Sequence, residues 1–538
     1  MVDALWSLTR PVPLDFNGPT DRPFVPLDKR ALSRSPIERF DLMVDRYPDH
    51  VAIDDGRTTL TYLELQRVAR ALAHLLAEQT PPQQPIGAVM HYTALFPAAL
   101  LASIAAARPL IPVDAAYPLQ RQRMILDHAG AQTILVEAGV AIEVELPQCP
   151  RIEVDLQGLC ASAAAAWPDI DYDCDRPGGV VFTSGSTGNP KGVSWSFGAF
   201  MPSVAEITAT HHLNHEDKII ALGSLASAGL GDALFALLNG ATLRVVEIMG
   251  AGLTELLRIL GDEKITILSF VPAILRSILS MEGAALAFRH LRILDLYGDA
   301  TSAADIAFFR THLPAKCHIR VVLGSIEAGP IFHWFIPEDY ERFGAMLPCG
   351  YIAANKEIAL LDTDAHPVRL GAEGELFVRS RAMALGSWQQ GRLTRGPFVQ
   401  DPGDELARIY PMGDIVRMRP DGLCEFVGRR DRMVKVRGLR ADLSEIEAAL
   451  RAHCGLEDAV VVAVPEADDN RLVAYYKPYP GSPAPRVKEL RRMVAQATAD
   501  HMVPKSFHMV AEIPRLPNFK PDLVRLAAMA REGRAATI

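Results

Sequence analysis

The segment from Thr183 to Val193 contains the residues best suited to chemistry. It reads Thr-Ser-Gly-Ser-Thr-Gly-Asn-Pro-Lys-Gly-Val. Its glycines permit a tight turn with inward-facing N–H groups, and its hydroxyl groups and lysine can hold and neutralise phosphate oxygens. The spacing differs from the Gly-x-x-x-x-Gly-Lys-[Ser/Thr] of a Walker A loop. The segment therefore predicts a different polyphosphate-binding loop, and a flexible surface loop is the alternative interpretation.

The residue order of this segment resembles the phosphate-binding signature of the adenylate-forming enzymes. This superfamily includes acyl-CoA synthetases, luciferases and the adenylation domains of nonribosomal peptide synthetases, and the chain looks closest to a stand-alone adenylation domain. The resemblance covers about residues 36–522. It implies that the ATP phosphates are bound by Thr183, Ser184, Gly185, Ser186, Thr187, Gly188 and Lys191.

Two motifs in the middle of the chain resemble other nucleotide-binding signatures of the superfamily. In Gly324-Ser325-Ile326-Glu327, the resemblance implies that Glu327 binds Mg²⁺, because a hard cation on ATP phosphates needs a carboxylate. Gly324 belongs to the same nucleotide site. In Tyr297-Gly298-Asp299, Gly298 would lie against the adenine.

Two later motifs extend the resemblance toward the ribose and the hinge. In Tyr410-Pro411-Met412-Gly413-Asp414, Asp414 would accept hydrogen bonds from both ribose hydroxyls, which suits an ionised carboxylate. The arginine-rich stretch 428–440 would place Arg429 near the ribose. It would also place Asp431 at the hinge between a large and a small domain.

The stretch Pro514–Lys520 resembles the terminal signature of the superfamily. The resemblance implies that Lys520 holds the substrate carboxylate and the α-phosphate together. A point charge suits an in-line attack on phosphorus, because the transition state spreads negative charge over the phosphate oxygens. The implied catalytic residues are Lys520, Glu327 and Lys191, and the implied cofactors are ATP and Mg²⁺.

Four positions depart from the patterns of the superfamily: Leu323, Ile326, Met412 and Phe519. The first replaces an aromatic residue that stacks on adenine, the next two replace threonines, and the last replaces a glycine. A nucleotide-binding protein without catalytic activity is therefore an alternative. Every charged group that the chemistry needs is present, which favours an active enzyme.

An alignment on Ala236–Ala241 indicates the acid-binding pocket. It places Ser227 where peptide synthetases carry an aspartate that pairs with the α-amino group, so an ordinary α-amino acid lacks its expected anchor. Asp295 would hold an amine placed differently, as in a β-amino acid, or would be a solvated strand end. Gly229 and Gly231 either leave room in the pocket or permit close helix packing. The predicted pocket residues are Ser227, Ser269, Asp295, Tyr297, Val322 and Ile331.

The resemblance implies two half-reactions. A carboxylic acid attacks the α-phosphate of ATP to give an acyl-adenylate and pyrophosphate, and a thiol then takes the acyl group. Arg437 and Arg440 are typical of the peptide-synthetase branch, which favours the phosphopantetheine of a carrier protein in natural-product biosynthesis. Only 18 residues follow Lys520, so we expect the carrier to be a separate chain. CoA and a free amine are the alternative acceptors.

Strands that alternate with helices of ten to fifteen residues must position these motifs. Between about residues 51 and 323 this alternation predicts an α/β fold with parallel-rich sheets and flanking helices. Within this alternation Leu60–Leu65 is predicted to begin a helix, and Ile86–Met90 and Leu110–Val113 are predicted strands. Short apolar runs after Glu373, among them Ile415–Met418, predict a small antiparallel β unit. A small α+β piece with a helix over Val487–Gln496 follows. We expect an extended arm over residues 1–35, a large adenylation core over 36–430 and a small mobile domain over 431–538.

Composition excludes several classes of function. The net charge of −9 leaves no basic excess for a nucleic-acid binder. The seven cysteines are dispersed, which is typical of reduced thiols in a cytoplasm. The N-terminus lacks the pattern of a signal peptide, and the longest apolar stretch, near residues 94–107, contains Pro97 and is too short to span a bilayer. These features predict a cytoplasmic enzyme without a membrane partner.

Overall fold

Two large sheets organise the first two thirds of the structure. The computed structural model describes residues 10–20, 22–28, 30–140, 149–162, 166–184, 190–222, 225, 229–246, 248–344, 346–436, 439–453, 455–466, 469–479, 483–516 and 520–532. The strands up to residue 352 are β1 (Val51–Asp54), β2 (Thr59–Thr61), β3 (Ile86–Met90), β4 (Leu110–Asp114), β5 (Thr133–Glu137), β6 (Arg151–Val154), β7 (Pro177–Ser184), β8 (Pro190–Ser196), β9 (Lys218–Ala221), β10 (Thr242–Val245), β11 (Ile267–Phe270), β12 (Ile293–Tyr297), β13 (His318–Ser325), β14 (Gly329–Phe335) and β15 (Tyr351–Ile352).

Helices connect most of these strands. They are α1 (Pro36–Arg46), α2 (Tyr62–Gln79), α3 (Leu95–Ala105), α4 (Leu119–Ala129), α5 (Leu156–Cys160), α6 (Phe197–His211), α7 (Leu230–Leu237), α8 (Ile248–Asp262), α9 (Pro272–Leu279), α10 (Ala284–Ala287) and α11 (Ala303–His312). Within the described ranges no helix is long and apolar enough to cross a membrane.

The remaining elements form the β unit and the C-terminal part. The strands of the β unit are β16 (Glu357–Leu361), β17 (Glu373–Ser380), β20 (Val399–Asp401), β21 (Asp404–Met418) and β22 (Cys424–Arg429). Two strands within the same stretch, β18 (Gly386–Gln389) and β19 (Arg392–Thr394), instead extend one of the large sheets. The C-terminal elements are β23 (Met433–Val436), β24 (Leu439–Asp442), α12 (Leu443–Arg451), β25 (Leu456–Glu466), β26 (Asp469–Pro478), α13 (Val487–Ala497), β27 (Ser506–Met509) and α14 (Leu523–Arg531).

The two large sheets are mixed but rich in parallel pairs. In the described part of the chain, one sheet has the order β15-β14-β13-β12-β11-β9-β10-β1-β2 and the other has the order β19-β18-β8-β7-β4-β3-β5-β6. The central pairs, from β13 to β1 and from β7 to β6, are parallel. Antiparallel strands lie at the edges. The predicted parallel-rich sheets with flanking helices are confirmed.

The β unit and the C-terminal part also have the predicted character. Strands β16, β17, β21 and β20 form an antiparallel sheet, and β22 also pairs with β21. In the C-terminal part, the sheet of β25, β26 and β27 has a separate hydrophobic cluster on each face. Both clusters consist of residues of the C-terminal part alone, so this part has its own core.

The predicted first residue of the helix α2 was wrong. The stretch Leu60–Leu65 was expected to begin a helix, but Thr59–Thr61 forms a strand and the helix α2 begins at Tyr62. The reason is a capping box: Thr61 accepts a hydrogen bond from the Glu64 backbone N–H, and the Glu64 side chain accepts one from the Thr61 N–H. This arrangement satisfies two N–H groups that the first helical turn leaves without partners.

The described part of the N-terminal arm lies against the large sheets. It contains no regular element other than a short 3₁₀ turn at Ala31–Ser33. Arg10 donates to the backbone oxygens of Val12 and Ile352, each at 3.0 Å. Arg22 forms an ion pair with Asp217 at 3.0 Å. Polar contacts therefore fix the described part of the arm to the large part.

Candidate active site

Several parallel strands of the nine-stranded sheet end at one edge. The strands β9, β11, β12 and β13 run in the same direction, so their carboxyl ends lie side by side. Gly298 follows β12 directly, and Glu327 follows β13 by two residues. Open α/β sheets bind ligands at this edge, which makes it the natural location of a site.

The predicted phosphate loop connects β7 and β8, which form an antiparallel hairpin. Thr183 pairs with Lys191 in the ladder, and Ser184 pairs with Pro190. The Lys191 side chain is exposed. The residues at the tip, Gly185, Ser186, Thr187 and Gly188, lie outside the described residues, and only the backbone of Thr183 and Ser184 is described.

Trp195 joins the hairpin of the phosphate loop to the edge that carries Glu327. It lies on β8, and its Nε1 donates to the backbone oxygen of Ile326 at 2.8 Å. The backbone oxygen of Glu327 itself accepts a hydrogen bond from the Ala384 N–H at 2.9 Å. Glu327 is thus held at the junction of the two large sheets, because its backbone is fixed from both directions.

The Glu327 carboxylate has a neighbour that the sequence did not identify. The hydroxyl of Tyr410, on β21, lies close enough to Glu327 to interact with its charge. Desolvation of this hydroxyl and the negative charge of Glu327 raise the pKa of Tyr410 well above its usual value. The phenol therefore remains protonated beside the carboxylate, where it can act as a hydrogen-bond donor.

Asp414 and Arg429 face each other on paired strands. Arg429 Nη1 lies 3.0 Å from Asp414 Oδ1, and β21 and β22 align the two residues in register. Asp414 is 3% exposed, whereas the Arg429 side chain is 43% exposed. The glycine before Asp414 has φ of 71°, a conformation that other residues rarely adopt. The strand bends at this point and keeps the carboxylate beside the arginine.

Gly298 and Gly324 each require glycine, for different structural reasons. Gly298 adopts φ of 84° directly after β12, so the chain turns sharply at the strand end. Gly324 lies in the hairpin of β13 and β14, where a Cβ would collide with the backbone of Gly329. Both positions therefore require glycine whether or not a nucleotide is bound.

The predicted pocket residues lie in different environments in the structure. Ser269, Asp295 and Tyr297 lie on β11 and β12, and Ser269 is paired in register with Asp295. Tyr297 is paired in register with Val322 and is 40% exposed. Ile331 is fully buried in a hydrophobic cluster, so its side chain is part of the core in this structure. Ser227 lies outside the described residues.

Asp295 is engaged in a buried ion pair. Arg320 donates from Nε and Nη2 to both of its carboxylate oxygens at 2.8 Å, and His211 Nε2 lies 3.0 Å from Oδ2. Burial opposes ionisation, but the charge of Arg320 and the contact with His211 lower the pKa of Asp295 far below its usual value. This carboxylate is not a solvated strand end, and an amine would have to compete with Arg320 for it.

Three of the four departures from the superfamily pattern share one hydrophobic cluster. Met412 is buried in it, and Leu323 and Ile326 pack against it. Ser325 Oγ also lies 3.8 Å from the Met412 sulfur. These three replacements thus all belong to or pack against one apolar cluster. Phe519 lies outside the described residues.

Lys520 lies on a turn of the C-terminal part and its side chain is exposed. The Leu516 N–H donates to the Lys520 oxygen at 2.8 Å. Arg515, in the same turn, forms an ion pair with Asp458. Arg451 pairs with Asp458 at 3.0 Å and with Asp299 at 3.5 Å. A chain of charges therefore links the Lys520 turn to the residue after Gly298.

Asp431, the predicted hinge residue, lies in the short 3₁₀ turn Arg430–Arg432.

Known families match most of the chain. The sequence pattern of the AMP-binding enzymes matches residues 40–388, and that of the AMP-binding enzyme C-terminal domain matches residues 445–520. The chain is 30% identical over 499 residues to phosphinothricin tripeptide synthetase PhsC of Streptomyces viridochromogenes, which covers 89% of this chain and 43% of that protein. It is 32% identical over 476 residues to chondramide synthase cmdD of Chondromyces crocatus, and the match covers 82% of this chain and 12% of that protein. The chain thus spans less than half of these relatives.

Solved structures share the fold. A four-domain nonribosomal peptide synthetase, AB3403, bound to AMP and glycine, superposes with a TM-score of 0.77 at 24% identity, covering 93% of this chain and 36% of that chain. The anthranilate CoA ligase AuaEII in complex with anthranoyl-AMP superposes with a TM-score of 0.80 at 17% identity, covering 93% and 98%. Since a family pattern also matches more than half of the sequence, the chain belongs to the AMP-binding enzymes, the adenylate-forming superfamily that its phosphate-loop signature resembles.

Proposed function

We propose that this enzyme activates a carboxylic acid with ATP, releasing pyrophosphate and forming an acyl-adenylate. The observation that supports this most is the arrangement around Glu327. The Glu327 carboxylate interacts with Tyr410 of β21, and Asp414 on the same strand pairs with Arg429 of the neighbouring strand β22. Groups suited to phosphates and to ribose thus meet along β21.

The proposed nucleotide contacts follow from the chemistry of each group. The Asp414 carboxylate accepts hydrogen bonds from the ribose hydroxyls, and Arg429 keeps it ionised. The backbone at Gly298 accepts the adenine, since no side chain projects from it. Lys191 and the hydroxyl-rich loop beside it hold the phosphates.

The residues present fit a magnesium ion. Glu327 offers a half-buried carboxylate at a strand end, and Mg²⁺ is bound by one or two carboxylates together with substrate phosphates. When bound, the ion would neutralise charge on the ATP phosphates. The role of the chain is to hold the Glu327 oxygens in a fixed direction, and the neighbouring Tyr410 hydroxyl is placed to contribute to this.

Lys520 supplies the charge at the reacting centre in this proposal. Its ammonium group would hold the substrate carboxylate and the α-phosphate together, so that the carboxylate oxygen attacks phosphorus and pyrophosphate leaves. Because Lys520 is exposed on the small C-terminal part, that part must close over the large one for the reaction. We propose the boundary near Asp431 and a rotation there between the two half-reactions.

We also propose that the acyl group passes to a thiol, most simply the phosphopantetheine of a carrier protein. The similarity to peptide synthetases over 89% of this chain supports this acceptor. CoA, the acceptor suggested by the acyl-CoA ligases of the same superfamily, is the alternative outcome of the test.

The experiment measures pyrophosphate release with ATP, Mg²⁺ and a panel of aliphatic, aryl, β-amino and α-amino acids. The wild type is compared with Lys520→Ala and with Lys488→Ala, an exposed lysine of the same C-terminal part. We expect release with one class of acid, reduced about 100-fold or more in Lys520→Ala and unchanged in Lys488→Ala. Adding CoA or a carrier protein with its phosphopantetheine arm then identifies the acceptor.

Intact ATP binding with no release for any acid would contradict the proposal. That result would favour the alternative of a nucleotide-binding protein that has lost adenylation. The shared packing of Leu323, Ile326 and Met412 argues against such a loss, because three independent decay events would not be expected to produce one coherent cluster.

A further inference from the structure

Asp232 is a carboxylate beside the predicted acid pocket with no counter-ion among the described residues. It lies in the first turn of α7, five residues after the predicted pocket residue Ser227. Its side chain is half-buried. Among the residues that the structure describes, no donor forms a hydrogen bond or an ion pair with it. An unpaired carboxylate in a partly buried position is less well stabilised than one in water, so a ligand that supplied a positive charge would be stabilised there.

The other carboxylate in this region is already paired. Asp295 receives two hydrogen bonds from Arg320 and a contact from His211. Its charge still acts on Asp232: burial, and next the charge of Asp295, raises the pKa of Asp232 to about 7. Unpaired carboxyl groups with such raised pKa values cluster at binding and catalytic sites.

The helix geometry directs Asp232 toward two tyrosines. Gly229 has helical backbone angles, and its carbonyl accepts a hydrogen bond from the Tyr92 hydroxyl at 3.3 Å. Residues three apart lie on the same face of a helix, so Asp232 shares this face with Gly229. The charge of Asp232 also contributes to the raised pKa of Tyr297, whose ring is exposed. Asp232 therefore lies on the side of α7 that carries the Tyr92 contact, within electrostatic range of Tyr297 at the end of β12.

A row of aromatic side chains leads from α7 to the strand end that carries Glu327. Phe235, one turn after Asp232, is stacked on Phe200 with ring centroids 5.6 Å apart. The Phe200 ring meets Trp195 edge to face at 5.9 Å. Trp195 in turn bonds to the residue before Glu327. A continuous row of aromatic side chains therefore connects the helical turn after Asp232 with the Glu327 edge.

We propose that Asp232 binds the ammonium group of the acid substrate and that an apolar spacer separates this group from the carboxylate being activated. The inference rests on the proposed function, because it names the substrate class of the same site. The spacer packs along the row of Trp195, Phe200 and Phe235. An α-amino acid without an additional amine would not span this distance.

The test uses pairs of acids that differ only by the amine. We would measure pyrophosphate release for 4-aminobutanoate against butanoate and for 3-(aminomethyl)benzoate against 3-methylbenzoate, with 2-aminobutanoate as the α-amino control. The proteins are the wild type, Asp232→Asn, Asp232→Ala and Glu338→Gln, which changes an exposed carboxylate elsewhere. Thermal melting and ATP binding establish that each variant is folded.

For the wild type we expect kcat/KM to be about 30-fold or more higher for the spaced amines than for their amine-free partners, as for loss of a charged hydrogen bond. Asp232→Asn should remove this preference by raising KM for the amines about 30-fold. It should leave the amine-free acids within about threefold, and Glu338→Gln should match the wild type.

Other outcomes separate the two proposals. Equal activation of acids with and without the amine, or an unchanged preference in Asp232→Asn, would overturn the role of Asp232 and leave the adenylation proposal standing. If 2-aminobutanoate were the best substrate, the proposed apolar spacer between the ammonium group and the carboxylate would be wrong. If no acid supports release although ATP binds, the proposed function fails and this inference fails with it.

Discussion

Asp414 and Arg429 place opposite charges at one point of the β unit, 3.0 Å apart. The ribose role predicts a specific phenotype for Asp414→Asn. An amide keeps the shape but loses the charge, so hydrogen bonds from ribose hydroxyls weaken by about 1.5–3 kcal/mol. We expect KM for ATP to rise about 10- to 100-fold, and discrimination against 2′-deoxy-ATP to decline.

The control for this substitution is Asp421→Asn, which changes an exposed turn carboxylate of the same β unit. It should leave KM for both nucleotides unchanged. An Asp414→Asn protein that binds ATP normally and still discriminates against the deoxynucleotide would place the ribose elsewhere.

The pKa of Asp232 predicts a pH dependence at the residue scale. The groups that face Asp232 are Tyr92, Tyr297 and Asp295. Both tyrosines have pKa values raised above their usual range and that of Asp295 is lowered, so they do not titrate near neutrality. Asp232 has a pKa of about 7, so it is neutral below pH 7 and charged above it.

For an acid that carries an ammonium group, kcat/KM should therefore rise about tenfold per pH unit below 7 and level off above it, because kcat/KM reports the pKa of the free enzyme. The amine-free partner should lack this rise, and so should Asp232→Asn. A rise that persists in Asp232→Asn would assign the titration to another group.

The residues of the site were predictable in part. Glu327, Asp414 and Lys520 could be proposed from the sequence because their motifs have fixed order and spacing. The partners Tyr410 and Arg320 were not, because each meets its carboxylate through pairing of strands or loops that are distant in sequence. Asp232 was missed for a related reason: its significance depends on Asp295 being paired already.

At the scale of elements, the capping box at the start of α2 is a local device whose removal is measurable. Thr61→Ala should lower the free energy of unfolding of the large part by about 1 kcal/mol, since an N-cap side chain is lost. Thr61→Ser retains the capping oxygen and serves as the control. Urea unfolding followed by circular dichroism measures both. Equal loss in the two variants would mean that the Thr61 methyl group, and not the cap, stabilises the helix.

Elements with strong apolar runs were predicted to within a few residues. The strands β3 and β4 and the helix α13 are examples, because buried parallel strands and amphipathic helices leave clear patterns. The strand β21 was predicted only over Ile415–Met418, whereas it spans Asp404–Met418. Its first part contains Pro411 and Gly413, which weaken a strand pattern. Pairing with β17 and β20 overrides that weakness.

At the scale of the whole molecule, polar contacts hold the C-terminal part against the large one. Asp299 pairs with Arg451 at 3.5 Å, and Ser277 Oγ donates to Glu457 at 2.8 Å. A partly exposed ion pair contributes about 0–1 kcal/mol. Such contacts can bias an orientation without preventing the rotation that two half-reactions need.

Asp299→Asn should therefore broaden the distribution of distances between fluorophores placed on the two parts, while changing the melting temperature little. Asp339→Asn, on an exposed turn of the large part, is the control. An unchanged distribution in Asp299→Asn would show that the pair does not select the orientation. Sequence could not predict this pair, because its partners belong to different units.

The central claim is the formation of an acyl-adenylate, and reversal of that step tests it most directly. Labelled pyrophosphate is added with ATP, Mg²⁺ and one acid at a time, and its incorporation into ATP is measured. We predict exchange that depends on the acid and is abolished in Lys520→Ala. Exchange absent with every acid, in a protein that binds ATP, would contradict the account.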